Sequence, residues 1–161
     1  MSENRTSPGK SSGFRVSPVL LIRVSSVVFV GLMIGHVSGF PWSSTDVAQE
    51  TELVSLMKSV NFIFAGERQT YWGLYLGWGV LVAVLLLAIA IILWLVSDLA
   101  RLAPRRVGTI TGVVSAISLI GCYISYRFFY IPPTVLFAVL CGVLLAATIQ
   151  LLSDDGEEAA T

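Results

Sequence analysis

The most constraining feature of the sequence is an uninterrupted apolar run at residues 79–96, GVLVAVLLLAIAIILWLV, which contains no charge and no proline. About 20 consecutive apolar residues are enough to cross the hydrocarbon core of a bilayer as a helix. In lipid, backbone polar groups must hydrogen-bond within the segment, which a helix allows and a single strand does not. The run therefore predicts a transmembrane helix, which we place at residues 72–96.

Three further apolar blocks occur at residues 18–40, 107–126 and 134–152. The chain is 55% hydrophobic and 12% charged, whereas soluble domains are about 45–50% apolar and about 25% charged. A soluble domain of this length cannot bury several such blocks, because its surface must stay wettable. We therefore predict an all-α membrane protein with four transmembrane helices and an extracytoplasmic amphipathic segment between helices 1 and 2. Its predicted parts are a disordered cytoplasmic tail (1–15), the four-helix domain (16–152) and an acidic cytoplasmic tail (153–161).

The distribution of basic residues predicts the orientation of the chain. Seven Lys and Arg residues fall on the side that holds the N-terminus and three on the other, and the cytoplasmic side normally carries the excess. We therefore expect a multi-pass protein of the cell (inner) membrane with both termini in the cytoplasm. Arg23 interrupts the first span, and its long side chain can carry the guanidinium back to the interface. A cleaved secretory signal, with Val37 and Gly39 before the cut, is the alternative for this span; its length and the following Phe40 argue against it.

The segment between the first two spans is too polar to cross a membrane but is amphipathic. Within residues 47–65, Leu53, Met57, Val60 and Phe64 recur at steps of four, three and four, which predicts one apolar helical face. Such a helix either lies on the outer surface of the bundle as a cap or simply connects the two spans. Both interpretations stay open.

Small residues predict where the helices pack, because lipid supplies no hydrophobic drive for their association. In the third span, Gly108 and Gly112 begin a small stripe that continues through Ser115, Ser118, Cys122 and Ser125. The fourth span offers Ala138, Gly142 and Ala146, and the short connection at 127–133 makes the two spans antiparallel neighbours. Between the first and second spans, Gly31, Gly35 and Gly39 are expected to face Gly73 and Gly77.

One group of polar and aromatic residues is a candidate binding site at the outer face. His36, the only histidine, lies near the outer end of the first span. If residues 67–79 form a helix, one of its faces carries Glu67, Arg68, Tyr71, Tyr75 and Trp78. An imidazole near a carboxylate, a guanidinium and phenols can support acid and base chemistry. The alternative is a structural role, in which these residues anchor the helices at the interface.

Several classes of function are disfavoured. One histidine without clustered partners does not provide a metal or haem site, so we expect no cofactor and no metal. Cys122 and Cys141 form no Cys-x-x-Cys pair and are expected to pack as small apolar residues. A proton-driven exporter needs an acid within a span, whereas Glu67 and Asp98 lie at span edges. Nucleic-acid binding needs a basic stripe, which a chain of zero net charge with scattered basic residues does not provide.

Two short stretches resemble a known family. Gly35 and His36, followed by the pattern Arg-x-Thr-Tyr-Trp-x-x-Tyr-x-Gly-x-Gly from Arg68 to Gly79, look like an uncharacterised family of small bacterial four-helix membrane proteins. The resemblance implies location and topology over about residues 19–150 and no known activity. This chain has Gly73 where the family often has an acid, which argues against a catalytic acid in the motif.

Two functional hypotheses from different classes follow. The first is a non-enzymatic bundle that binds a protein or lipid partner at its outer face. The second is a membrane enzyme or a carrier for an apolar small molecule, with its site at the outer ends of helices 1 and 2. They differ in geometry: the second requires His36 and the charged face of the second span to meet around a cavity. Neither the oligomeric state nor the reaction, if any, follows from the sequence.

Overall fold

The computed structural model describes residues 16–39 and 46–158, with side chains through Ser153. The predicted tail at 1–15 and Phe40, at the end of the first predicted span, lie outside the described residues. The helices are α1 (Pro18–Ser38), α2 (Ala48–Ser59), α3 (Tyr71–Asp98), α4 (Pro104–Phe128) and α5 (Ile131–Glu158); two short strands, β1 (Asn61–Phe64) and β2 (Glu67–Thr70), form a hairpin. Four of these helices are long and apolar enough to cross a membrane, which confirms the predicted all-α membrane fold.

The ends of the helices follow local sequence. Proline occupies the first turn of α1 and of α4, where its missing N–H leaves no helical hydrogen bond unmade. Pro132 and Pro133 have the corresponding place at the start of α5. The Thr70 side chain accepts a hydrogen bond from the Gly73 N–H (3.0 Å) and so caps α3. At its other end α5 continues to Glu158, so helix extends through much of the segment expected to be an acidic tail.

The segment between α1 and α3 is a short helix followed by a β-hairpin, so the single amphipathic helix predicted over 47–65 is wrong from residue 60 onward. Helix α2 ends at Ser59, and the β-forming run Asn61–Phe64 pairs antiparallel with Glu67–Thr70. Ala65 and Gly66 both have positive φ (52° and 87°), as the tight turn between twisted strands requires. Val60 and Phe64 therefore do not share a helical face with Leu53 and Met57.

The hairpin is joined to α3 by aromatic contacts. The ring of Phe62 lies 4.7 Å from that of Tyr71, and the Lys58 ammonium lies 4.8 Å from the centre of the Trp72 ring. No residue of α2 is buried, and Leu53, Leu56, Ile63 and Phe64 are exposed. The segment is an exposed apolar cap that touches the bundle mainly at the start of α3.

The four spans pack side by side in the order α3, α1, α5, α4. Helix α1 packs on α3 and on α5, and α4 packs on α5 more extensively than any other pair of elements; α3 and α4 make few direct contacts. We call the end that carries α2 and the β-hairpin the hairpin end; there α4 turns into α5. We call the opposite end the link end; there the 3-10 turn Leu99–Arg101 joins α3 to α4 and contacts both.

The interface of α4 with α5 places small residues of one helix against large residues of the other. A Cβ added to Gly108 would lie 3.0 Å from Leu152, and one added to Gly121 would lie 2.9 Å from the Phe137 ring. The predicted stripe of α4 faces this interface, since Ser115, Ser118 and Ser125 are buried.

The stripe predicted for α5 does not face α4 or α1. Ala138 and Gly142 are exposed, and the buried face of α5 consists instead of Leu140, Leu144, Ala147, Thr148 and Leu151. The large side chains of this face fill the hollows that the small residues of α4 leave.

Polar contacts fix α1 against α3. Ser26 donates to the Ala90 carbonyl (2.7 Å) in the interior. Nearer the link end, Arg23 donates to Ser97 Oγ (3.2 Å) and to Asp98 Oδ1 (2.7 Å), and its guanidinium lies 5.1 Å from the centre of the Trp94 ring. Arg23 therefore joins two helices, beyond the interfacial placement expected from its long side chain.

The buried apolar core lies in the half of the bundle nearer the link end. All four spans and the 3-10 turn contribute to it, through Ile22, Phe29, Leu32, Ala90, Leu93, Ala100, Val107, Leu140, Leu144, Ala147 and Leu151. Between Tyr71 and Val82, α3 buries no apolar side chain, and only Gly79 there is buried. The hairpin end is therefore less tightly packed.

We predict that Gly121→Ala destabilises the bundle, because the added methyl group would lie 2.9 Å from the Phe137 ring and the ring must move. Overpacking of this kind typically costs about 1–3 kcal/mol. Unfolding in mixed micelles measures the loss, and Gly142→Ala, which meets no atom within 4 Å, is the matched control. Equal stability of the two variants would contradict the described α4–α5 packing.

Candidate functional site

His36 connects α1 with α3 at the hairpin end. Its Nε2 lies 3.0 Å from the Gly79 carbonyl oxygen, and because a carbonyl only accepts, Nε2 carries the proton and donates. Gly79 is buried, so the imidazole fits against a bare stretch of α3 backbone. His36 therefore holds the two helices together at the depth where the buried core has ended.

A cavity of about 230 Å³ lies beside this contact. All four spans line it: the hairpin-end half of α1, the middle of α3, the last turn of α4 and the first turns of α5. The lining residues are Gly31, Leu32, Gly35, His36, Val82, Leu86, Ser125, Phe129, Tyr130, Pro132, Pro133, Leu136 and Phe137. The lining is mostly apolar, and its polar side chains are those of His36, Ser125 and Tyr130.

The glycines of α1 keep this cavity open. A Cβ added at Gly31 or Gly35 would meet no atom within 4 Å. The close approach of α1 to Gly73 and Gly77 that we expected is therefore absent: Gly77 also has open space around it, and the nearest atom to Gly73 is its own cap, Thr70 Oγ1. The polar contacts of His36, Ser26 and Arg23 join α1 to α3 instead.

The predicted outer-face site is not assembled as a unit. Glu67 and Arg68 belong to strand β2 rather than to α3, so they do not extend the helical face of Tyr71, Tyr75 and Trp78. Both are exposed, and the three aromatic side chains are about half exposed in the first turns of α3. Of the six residues predicted for this site, only His36 lines the cavity.

The cavity residues that the prediction missed come from the α4–α5 connection. Phe129, Tyr130, Pro132 and Pro133 lie in one short run, and Ser125 was assigned to helix packing alone. The density of aromatic residues and prolines at this turn is a usable signal, because these residues stiffen a connection and leave bulky rings at the end of the bundle. Which side of the turn faces α1 depends on tertiary packing.

The chemistry available in the cavity is limited. Within the lining, His36 and Tyr130 are the only titratable residues, and no lysine, arginine or carboxylate is present. In residues 16–39 and 46–153, no three His, Cys, Asp or Glu side chains come close enough to hold a metal ion. Cys122 and Cys141 are half-buried free thiols. The arrangement is suited to holding an apolar group beside a few hydrogen-bonding side chains.

Comparison of the chain with protein-family models, with curated proteins and with solved structures finds no match. The four spans define a polytopic membrane protein. The resemblance based on Gly35, His36 and the stretch from Arg68 to Gly79 stays a prediction.

Proposed function

We propose that this polytopic membrane protein binds an apolar molecule of the bilayer, such as part of a lipid, in the cavity at the hairpin end, without converting it chemically. The observation that carries the proposal is the cavity itself, which all four spans line next to the His36–Gly79 contact. An apolar space of this kind forgoes packing contacts unless an apolar molecule fills it.

The size of the cavity supports binding of a small apolar group or of one part of a larger molecule. An engineered apolar cavity of about 150 Å³ holds a benzene molecule, and pockets for drug-sized ligands measure about 300–1,000 Å³. At about 230 Å³ this cavity lies between the two. We therefore infer that one segment of the ligand enters it while the rest of the molecule stays in the surrounding leaflet.

The lining favours binding over catalysis. Acid and base catalysis needs a positioned proton donor or acceptor that reaches the substrate. His36 already uses Nε2 to hold the Gly79 carbonyl, and Glu67 and Arg68, the charged partners expected from the sequence, lie on the hairpin. The enzyme hypothesis thus loses the convergence of charged groups on which it was based.

We predict that side chains placed in the cavity reduce lipid retention. In Gly31→Leu and Gly35→Leu, the new side chain fills space that is now open, so the amount of lipid that stays bound to the purified chain should fall. Native mass spectrometry after mild detergent exchange measures this amount. Gly142→Leu is the matched control, because Gly142 also has open space but does not line the cavity. Unchanged retention in both cavity variants, with folding intact, would overturn the proposed function.

We further propose that the hairpin end, and with it the cavity, lies on the extracytoplasmic side of the cell membrane. Of the basic residues in 16–39 and 46–158, Arg23, Arg101, Arg105 and Arg106 lie toward the link end, and Lys58, Arg68 and Arg127 lie toward the other. Lys and Arg accumulate on the cytoplasmic side, so both termini are assigned to the cytoplasm.

A labelling experiment in intact cells tests this orientation. Ile63 at the hairpin and Leu102 at the link are both about four-fifths exposed, so they form a matched pair. With Cys122 and Cys141 replaced by alanine, a membrane-impermeant maleimide should label Ile63→Cys and should label Leu102→Cys only after lysis. The reverse pattern would invert the topology.

A further inference from the structure

We infer that the ligand of the cavity is an uncharged amphiphile whose oxygen-bearing head, a hydroxyl or an ester carbonyl, hydrogen-bonds with the Ser125 hydroxyl. Long-chain alcohols and acylglycerols have this chemistry. The inference rests on the proposed function, because it names the chemical class of the molecule that the cavity holds.

The first observation is the state of the Ser125 hydroxyl. Eight Ser and Thr residues are buried in the part of the chain that the structure describes. Seven of them use their hydroxyl in a hydrogen bond: Ser25, Ser26, Ser97, Thr111, Ser115, Ser118 and Thr148. Ser125 is the exception: only 4% of it is exposed, and its hydroxyl has no partner among the described residues.

The position of Ser125 explains why this hydroxyl is left unpaired. No polar side-chain atom in the described part of the chain is both fully enclosed and without a partner, so the hydroxyl oxygen of Ser125 reaches open space. Ser125 lines the cavity, so that space is the cavity. An unpaired hydroxyl at an apolar site costs free energy unless a ligand or water supplies the partner. The cavity thus provides one hydrogen-bonding position at a defined place.

The remaining lining sets the charge and shape of the ligand. No Lys or Arg lines the cavity, so it offers no counter-charge for a carboxylate or phosphate head, and a buried unpaired charge is costly. Tyr130, the residue just before α5, adds a second hydroxyl near the end of α1: its Oη lies 3.5 Å from where a Cβ of Gly39 would be. Leu32, Val82, Leu86, Leu136 and Phe137 supply apolar walls for a chain. A neutral head on an apolar chain matches the two hydroxyls and the apolar walls of the cavity.

The competing use of the hydroxyl is a structural one, in which Ser125 continues the small stripe of α4. Ser118 lies seven residues earlier on the same buried face, and its hydroxyl donates to the Val114 carbonyl (2.8 Å). Ser118 does not line the cavity. The two serines share a helix, a face and near-complete burial, and they differ in access to the cavity, so Ser118→Ala is a matched control for Ser125→Ala.

The experiment compares two photoactivatable probes with the purified full-length chain in nanodiscs: a diazirine-bearing decyl chain, and the same chain with a terminal hydroxyl. We expect both probes to label residues that line the cavity, with half-maximal labelling at a lower concentration for the hydroxylated probe. Ser125→Ala should remove about a three- to tenfold preference, the range for a single neutral hydrogen bond. Labelling by the plain chain should stay the same, and Ser118→Ala should leave the preference unchanged.

The outcomes separate the inference from the function on which it rests. Equal labelling of the cavity by both probes in the wild-type chain, or a preference that Ser125→Ala does not alter, overturns the assignment of a polar head to Ser125 and leaves apolar binding intact. If neither probe labels the cavity, the proposed function itself is overturned. A charged probe, the same chain with a terminal carboxylate, should label least; stronger labelling by it would contradict the inference of a neutral head.

Discussion

The architecture depends on how α1 is held against α3, because lipid offers helices no hydrophobic reason to associate. The two helices are joined at three depths: by Arg23 with Ser97 and Asp98, by Ser26 with the Ala90 carbonyl, and by His36 with the Gly79 carbonyl. Measured interhelical hydrogen bonds in membranes average about 0.6 kcal/mol each, so no single contact dominates. Together the three contacts fix the register of the pair, and α1 also packs on α5.

The same arrangement explains why the two ends of the bundle differ. At the link end, the 3-10 turn Leu99–Arg101 contacts both α3 and α4, and buried residues from all four spans meet. At the hairpin end, α3 and α4 are not joined by any short connection, and the α4–α5 turn contributes large rings rather than small side chains. The glycines of α1 leave space there, so a cavity forms beside His36. The functional proposal follows from this asymmetry between the ends.

The sequence predicts those structural features best that depend on a single residue property. Runs of apolar residues define spans without reference to neighbours, so four helices with nearly correct limits were predictable, and the small stripe of α4 correctly indicated its packed face. The hairpin at 61–70 was missed because the spacing of four, three and four starts in α2, at Leu53 and Met57, and runs on past the end of that helix to Phe64 in β1. That error placed Glu67 and Arg68 on α3 and so produced a site that the fold does not assemble.

The expected close contacts at the glycines and the unexpected cavity were mispredicted for a different physical reason. A glycine in a membrane helix permits close contact but does not specify it, and Gly31, Gly35, Gly77 and Gly142 all border open space. Whether a hollow on one helix is filled depends on the side chain opposite, as Phe137 fills the one at Gly121. His36 was identifiable because it is the only histidine of the sequence, whereas the role of Ser125 depends on tertiary packing around the α4–α5 turn.

Proton NMR in nanodiscs tests most directly whether an apolar molecule occupies the hairpin end while the link end stays closed. Leu32 and Leu144 are both buried on neighbouring helices, but only Leu32 lines the cavity. With protonated lipid chains and an otherwise deuterated protein carrying protonated leucine methyl groups, we predict nuclear Overhauser effects from lipid methylene protons to Leu32 and none to Leu144. Absence of the effect at Leu32, or equal effects at both residues, would contradict the account.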